Sequence, residues 1–291
     1  MKKNKIILGS LLFTGIISFL MGCESMNNIH SDEEDIGRDL GTSLEAIEFA
    51  GKNYLPTFYD DFTGSELDSL RWKKCPEWQR QDLGGYWKNE CTSVEDSCLV
   101  IKALKKGDTL ISGGLRSKDK FEQKCGLYKI RFKVEKASGL WYAFWLMTDK
   151  VSNIGKGAVD GGEIDIFEVL PNDPWMPEGK KSYLNSALHW DGYGNAHKSH
   201  SSQYHIDDSF YNTWHEVTFE WTPEYYKAYL DDSKTPYWDS TIDGAEAWGG
   251  IVQTRNYMKI TAEFGKWGGE VDEAALPAKM YVDWVKVYKA E

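Results

Sequence analysis

The chain has 291 residues, with 45 Asp and Glu against 34 Lys and Arg, for a net charge of −11. That balance excludes nucleic acid as a natural partner and disfavours a strongly sulfated polyanion, unless a local basic patch overrides it. The chain carries 13 Trp, 16 Tyr and 12 Phe, rings that serve equally as sandwich core and as flat platforms for sugar rings.

Lys2, Lys3 and Lys5 precede an apolar run from Ile6 to Met21, too short to span a bilayer comfortably and built as an export signal. The run ends Leu20-Met21-Gly22-Cys23, which resembles a bacterial lipobox. Residues 1–22 therefore read as a lipoprotein signal peptide and Cys23 as the lipidated residue. The expected location is an exported, membrane-anchored lipoprotein on the cell surface or the periplasmic face. Residues 23–53 comprise that cysteine and a polar tether, most acidic at residues 31–35 (Ser-Asp-Glu-Glu-Asp). Within the tether, Thr42 to Ala50 predict one short helix, capped by Thr42 or Ser43 and stopped by Gly51.

Residues 54–291 suffice for one domain with a large core. Cys75, Cys91, Cys98 and Cys125 in an exported chain permit one or two disulfides, with the pairing left open. None forms a CxxC pair or has a histidine nearby, which argues against zinc. Strand signals dominate from here. Leu99 to Ala103 is a short apolar strand, and Tyr128, Ile130, Phe132 and Val134 alternate with Lys129, Arg131, Lys133 and Glu135. Residues 141–147, 163–170, 183–190, 214–221, 225–230, 257–264 and 280–288 predict further strands. No long stretch has helical periodicity and no repeat occurs, so the fold class is all-β, a two-sheet antiparallel sandwich.

One strand carries three acids among apolar residues: Gly-Glu-Ile-Asp-Ile-Phe-Glu at 162–168. Strict alternation puts Glu163 and Asp165 on one face and buries Glu168 on the other. A lone buried carboxylate is costly, so a β-bulge that returns Glu168 to the acidic face is the cheaper solution. The two glutamates can then lean to about 5–5.5 Å, the separation used by retaining glycosidases. A solvated face or a calcium loop is the competing reading. The isoleucines opposite argue for a sheet with one wet side.

That segment resembles the active-site signature of glycoside hydrolase family 16, in the bulged E-x-D-x-x-E form of its laminarinase- and agarase-like branch. The resemblance runs from Tyr59 to Tyr288, through Ser-Gly-Gly-Leu-Arg-Ser-Lys (112–118), Gly-Leu-Trp-Tyr-Ala-Phe-Trp-Leu-Met (139–147), Trp-His-Glu-Val-Thr-Phe-Glu-Trp-Thr-Pro (214–223) and Val-Asp-Trp-Val-Lys-Val-Tyr (282–288). It implies a curved jelly roll whose concave face is an open substrate cleft, and hence internal cleavage. It implies Glu163 as nucleophile, Glu168 as acid/base, and Asp165 as the group that hydrogen-bonds and orients Glu163. It places His189 near the acid/base, makes Trp141, Trp145 and Trp267 sugar platforms, and has Asn89 touch sugar hydroxyls. His197, His200 and His205 fall in a Ser-, Lys- and Asp-rich segment read as a solvated loop. No cofactor is required; the family implies a structural calcium, held partly by Asp283.

The expected activity is therefore a retaining endo-hydrolase of β-1,3- or mixed-linkage β-1,3(4)-glucan. A β-galactan of agar, porphyran or host-glycan type is the alternative substrate. A non-catalytic glycan-binding lipoprotein is the alternative class, though a pure binder has no need of all three acids. The expected partners are a polysaccharide and, through the anchor, a membrane, with the domain acting as a monomer.

Overall fold

In a computed structural model that describes residues 44–80 and 85–291, period-two hydrophobicity translates into strands almost throughout. The first are β1 (Ile47–Phe49), β2 (Lys52–Asp60), β3 (Lys73–Lys74), β4 (Trp78–Gln79), β5 (Tyr86–Trp87) and β6 (Thr92–Glu95). Next come β7 (Cys98–Lys106), β8 (Thr109–Ser112), β9 (Gly114–Arg116), β10 (Gly126–Val134), β11 (Leu140–Met147) and β12 (Gly162–Leu170). The last are β13 (Tyr183–Trp190), β14 (Lys198–His205), β15 (His215–Trp221), β16 (Tyr226–Leu230), β17 (Trp238–Asp239), β18 (Tyr257–Phe264) and β19 (Ala278–Ala290).

A seven-stranded sheet runs β14-β13-β12-β11-β18-β9-β3, and a larger one runs β17-β16-β15-β10-β19-β7-β8-β5-β4 with β1, β2 and β6 attached. Neighbours pair antiparallel, as β10 does with β15 and β19, while β5 and β8 run parallel. The fold is the all-β two-sheet sandwich that the sequence predicts.

Alternation assigns the faces. Tyr128, Ile130, Phe132 and Val134 of β10 meet Tyr142, Phe144 and Leu146 of β11 in one buried core between the sheets. The residues between them on β11, namely Trp141, Ala143 and Trp145, turn to the other face and form a second cluster with Trp87, Leu170 and Tyr183. Burying each large side chain contributes about 1.5–3 kcal/mol, so the strand's two faces are not interchangeable.

Of the helix predicted at Thr42–Ala50, the described residues 44–50 form none: Ile47–Phe49 pair with Lys52–Tyr54 in a hairpin. Ala50 and Gly51 both take positive φ, 50° and 76°, the geometry of a two-residue turn that matches strand twist. Ile47 and Phe49 pack with Leu44 on Tyr54, Leu127 and Tyr288, and that tertiary surface outweighs local helix preference. The last part of the stretch read as tether is thus hydrogen-bonded into a sheet. The signal peptide, Cys23 and the tether through residue 43 lie outside the described residues. All four remaining cysteines are free thiols.

Candidate active site

The acids owe their arrangement to one irregularity in β12. Asp165 pairs with Trp145 on β11 and Ala187 on β13, whereas Glu168 pairs with Ala143 and Asn185. Two residues, Ile166 and Phe167, thus face a single partner position on each side: a β-bulge. Both are fully buried in the core, and Phe167 stacks on Phe132 at 4.4 Å between ring centroids. The Ile166 carbonyl, in the irregular stretch, accepts from Ser186 Oγ at 2.8 Å and Tyr237 OH at 2.9 Å, so the kink leaves no buried acceptor orphaned.

Glu163, Asp165 and Glu168 consequently line the floor of a cleft of about 890 Å³. Asn185 Nδ2 donates to Glu168 Oε2 at 2.9 Å. The Tyr193 hydroxyl donates to Glu163 Oε2. Asp165 Oδ2 lies 3.4 Å from His189 Nε2, and the ligand atoms of Glu163, Asp165 and His189 fall within 4.8 Å of one another. Burial pushes the Glu168 carboxyl up to about 8; Asn185 opposes the rise and the charge of Glu163 adds to it. Burial also raises Asp165 well above the carboxylate range, reinforced by Glu163 and Glu168. Glu163 is raised by burial but pulled back by the Tyr193 hydrogen bond and by Lys259, His197 and Arg80. His189 is driven down to about 4 by burial and by His197, so it is neutral at pH 7. The floor thus pairs Glu168, protonated at neutral pH, with Glu163, whose upward shift is opposed by a donor and nearby cations, so that unlike surroundings act on the two carboxyls.

The profile of Glycosyl hydrolases family 16 matches residues 80–286. The chain belongs to that family. It is 27% identical over 90% of its length to a glucan endo-1,3-beta-glucosidase A1 of Niallia circulans, of which it spans 41%. It is 28% identical over 84% of its length to a keratan-sulfate endo-1,4-beta-galactosidase of Sphingobacterium multivorum, spanning 58% of that protein. The chain therefore covers less than two thirds of either relative. Among solved structures, an endo-beta-1,3-glucanase from Pyrococcus furiosus superposes with a TM-score of 0.68 at 26% identity, over 85% of this chain and 99% of that one.

Within this family 16 domain, Trp141, Trp145 and Trp267 all line the cleft. Trp141 meets Trp267 edge-on at 5.4 Å, and Trp267 Nε1 donates to Asp173 Oδ2 at 3.1 Å. His189 lines it too, but opposite Glu163 in register; Asn185, not His189, stands beside Glu168. Glu163 takes its hydrogen bond from Tyr193 rather than from Asp165. Asn89 is absent from the cleft lining. It sits in a single 3-10 turn, where its carbonyl accepts from Lys74 Nζ at 2.7 Å. The segment read as a solvated histidine loop contains β14, and His197 reaches the cleft, its Nε2 3.0 Å from His189 Nδ1 with the rings parallel. His200 packs edge-on against Trp248, and His205 against Tyr183. Asp283 forms an ion pair with Arg131. A guanidinium in contact fits poorly with a calcium ion, which needs six or more oxygen ligands. Among the described residues, no group of three acids or histidines that could hold a metal includes Asp283.

Sequence reasoning missed Tyr193, Asn185 and Trp87. Tyr193 had a signal, a tyrosine between two glycines just past His189-Trp190. Asn185 lies four residues before His189 on one strand face, so it was recoverable from alternation.

Proposed function

We propose that the protein is a retaining, endo-acting glycoside hydrolase. The observation that carries this is the bulge, which sets Glu163, Asp165 and Glu168 on one open floor while Ile166 and Phe167 go to the core. Glu163 attacks the anomeric carbon to form a glycosyl ester, and Glu168 gives its proton to the departing oxygen. Glu168, then ionised, takes a proton from the water that hydrolyses the ester. A group with its pKa near 8 is protonated at neutral pH and strong enough as a base for the second step. Asp165, protonated, leaves the crowded floor without a further negative charge beside Glu163, while the Tyr193 hydroxyl donates to Glu163 and orients it. Trp141 and Trp145 present indole surface to the sugars on either side of the reacting one.

The first substrate is a β-1,3- or mixed-linkage β-glucan, in keeping with the glucanase relatives. A β-galactan is the second reading. It is supported by the galactosidase relative at 28% identity and by cationic side chains on one flank of the cleft. The cell exports the chain and anchors it through lipid on Cys23, a reading that the mass of the mature N-terminal peptide tests directly. Laminarin, barley glucan, agarose, porphyran and mucin glycans form the decisive panel. We expect new reducing ends from internal cleavage of at least one, with the first product appearing as the β-anomer by NMR. Glu163→Ala abolishes that release and still melts cooperatively. Binding without cleavage by the native protein would make it a glycan-binding lipoprotein, and products longer than the substrate would make it a transglycosylase.

A further inference from the structure

Three cationic residues stand side by side across the floor of the cleft sheet. Lys73 on β3 pairs in register with Arg116 on β9, and Arg116 with Lys259 on β18; Lys259 in turn faces Trp145 on β11, next to the catalytic strand. Lys73 is neutralised by Asp119 at 2.8 Å. The other two are not. Lys259 is only 9% exposed yet lines the cleft. Its ammonium lies 3.6 Å from the centre of the Trp145 ring and 4.8 Å from that of Trp87. Among the described residues no carboxylate comes within ion-pair distance of it. Arg116 also lines the cleft, and its buried Nε has no hydrogen-bond partner.

The acids that face this pair are engaged elsewhere. Glu263 is bound by Arg80 at 2.7 Å, and Glu163 by Tyr193. Cys75, also close by, keeps its proton at neutral pH, because burial pushes the thiol up to about 11. Glu163 and Glu263 act on Lys259 through space, but neither is within ion-pair distance of it, and the neighbouring guanidinium repels it; an anion placed between the two cations would remove that cost.

We propose that Lys259 and Arg116 form a subsite for an anionic oxygen group carried by a sugar on the β18–β9 side of the scissile bond. The group is a sulfate ester or a carboxylate; both present the oxygens that a guanidinium fork and an ammonium recognise. The subsite rests on the hydrolase reading and narrows it, since an undecorated glucan brings nothing to these two cations. Overall acidity does not oppose it, because burial at the cleft floor lets the two local charges dominate at short range.

Matched β-galactan and β-glucan oligosaccharides bearing sulfate, carboxylate or no charge test the subsite by kcat/KM. The native protein is expected to prefer one charged series, and the identity of that series separates the two sources. In Lys259→Met and in Arg116→Gln, the charged-to-neutral ratio should fall about ten- to hundredfold, the loss that goes with one hydrogen bond to a charged group. A ratio near one in the native protein, or one unchanged in both variants, overturns the proposal. A shift of the acid limb of the pH profile, equal for both series and with the charged-to-neutral ratio unchanged, would make Lys259 a positioning residue for Glu163 only, and would also overturn it. Calorimetric binding of the same oligosaccharides to Glu163→Gln reads the subsite without turnover. Charge-selective binding by a protein that cleaves nothing would uphold the subsite and sink the hydrolase reading alone.

Discussion

Glu168 illustrates how a catalytic group is held at the expense of the fold. Its native pKa, near 8, lies above the value of about 4.3 for an unfolded glutamate. The folded state therefore holds its proton more tightly than the unfolded chain does. The stability tied to that proton is fully present below about pH 4 and drains away as pH rises toward 8. Gln at 168 keeps the neutral, hydrogen-bonding form at every pH. Glu168→Gln is accordingly expected to melt higher than the native protein at pH 7 by about 5–15 °C, with the difference vanishing near pH 4. Scanning calorimetry at the two pH values reads both halves of this expectation. An equal gain at both would assign it to packing instead of the proton. The same titration fixes the alkaline limb of activity: turnover falls as pH passes 8, because the leaving oxygen loses its acid.

At the scale of the element, the bulge in β12 is held by groups outside β12. Ser186 Oγ and Tyr237 OH both donate to the Ile166 carbonyl, and each arrives from a neighbouring strand or loop. Removing both donors, in Ser186→Ala with Tyr237→Phe, leaves a buried carbonyl without a partner and should cost about 1–3 kcal/mol. Denaturant melts should show that loss. kcat should fall more than KM rises, because Glu168 is placed by the kink while the aromatic floor is not. A double variant with native kcat would show that core packing of Ile166 and Phe167 alone holds the kink. This irregularity was legible in the sequence because alternation and burial conflict there: Glu163, Asp165 and Glu168 cannot share a face without an extra residue. The alternating strands β10 and β11 were legible for the converse reason, that pattern and packing agree. Lys-Ser-His-Ser-Ser-Gln-Tyr-His of β14 was not, since an edge strand on the rim of a cleft buries little and needs no apolar face. Nor was the Lys259–Arg116 pair. The two residues lie far apart in the chain, and only the register of β18 on β9 brings them together. The β1–β2 hairpin was misread because helix signals were weighed without the turn chemistry of Ala50-Gly51.

For the molecule as a whole, that hairpin places part of the folded domain upstream of residue 54. A boundary at residue 54 keeps Tyr54 and discards β1 together with Lys52. Yet the Glu220 side chain, 1% exposed, accepts from Tyr54 OH at 2.9 Å and Lys52 Nζ at 3.0 Å. Without Lys52 the carboxylate stays buried with that cationic partner gone, while Tyr54, Leu127 and Tyr288 lose the cover of Ile47 and Phe49. Each loss alone is worth about 1–3 kcal/mol. A chain that begins at residue 54 is thus expected to lose about 2–5 kcal/mol relative to one that begins at residue 44. Separate thermal melts of the two test this, and Glu220→Gln in the shorter should restore part of the loss by removing the unpaired charge. Equal melting of the 44 and 54 chains would show that the hairpin is an ornament on the sandwich. Activity offers a second discriminator. The hairpin lies on the large sheet, on the other side of the core from the cleft sheet that carries Glu163 and Glu168. Truncation should therefore lower the melting temperature while leaving kcat/KM at 25 °C unchanged, and a parallel fall in both would mean that the two sheets do not bear their functions separately.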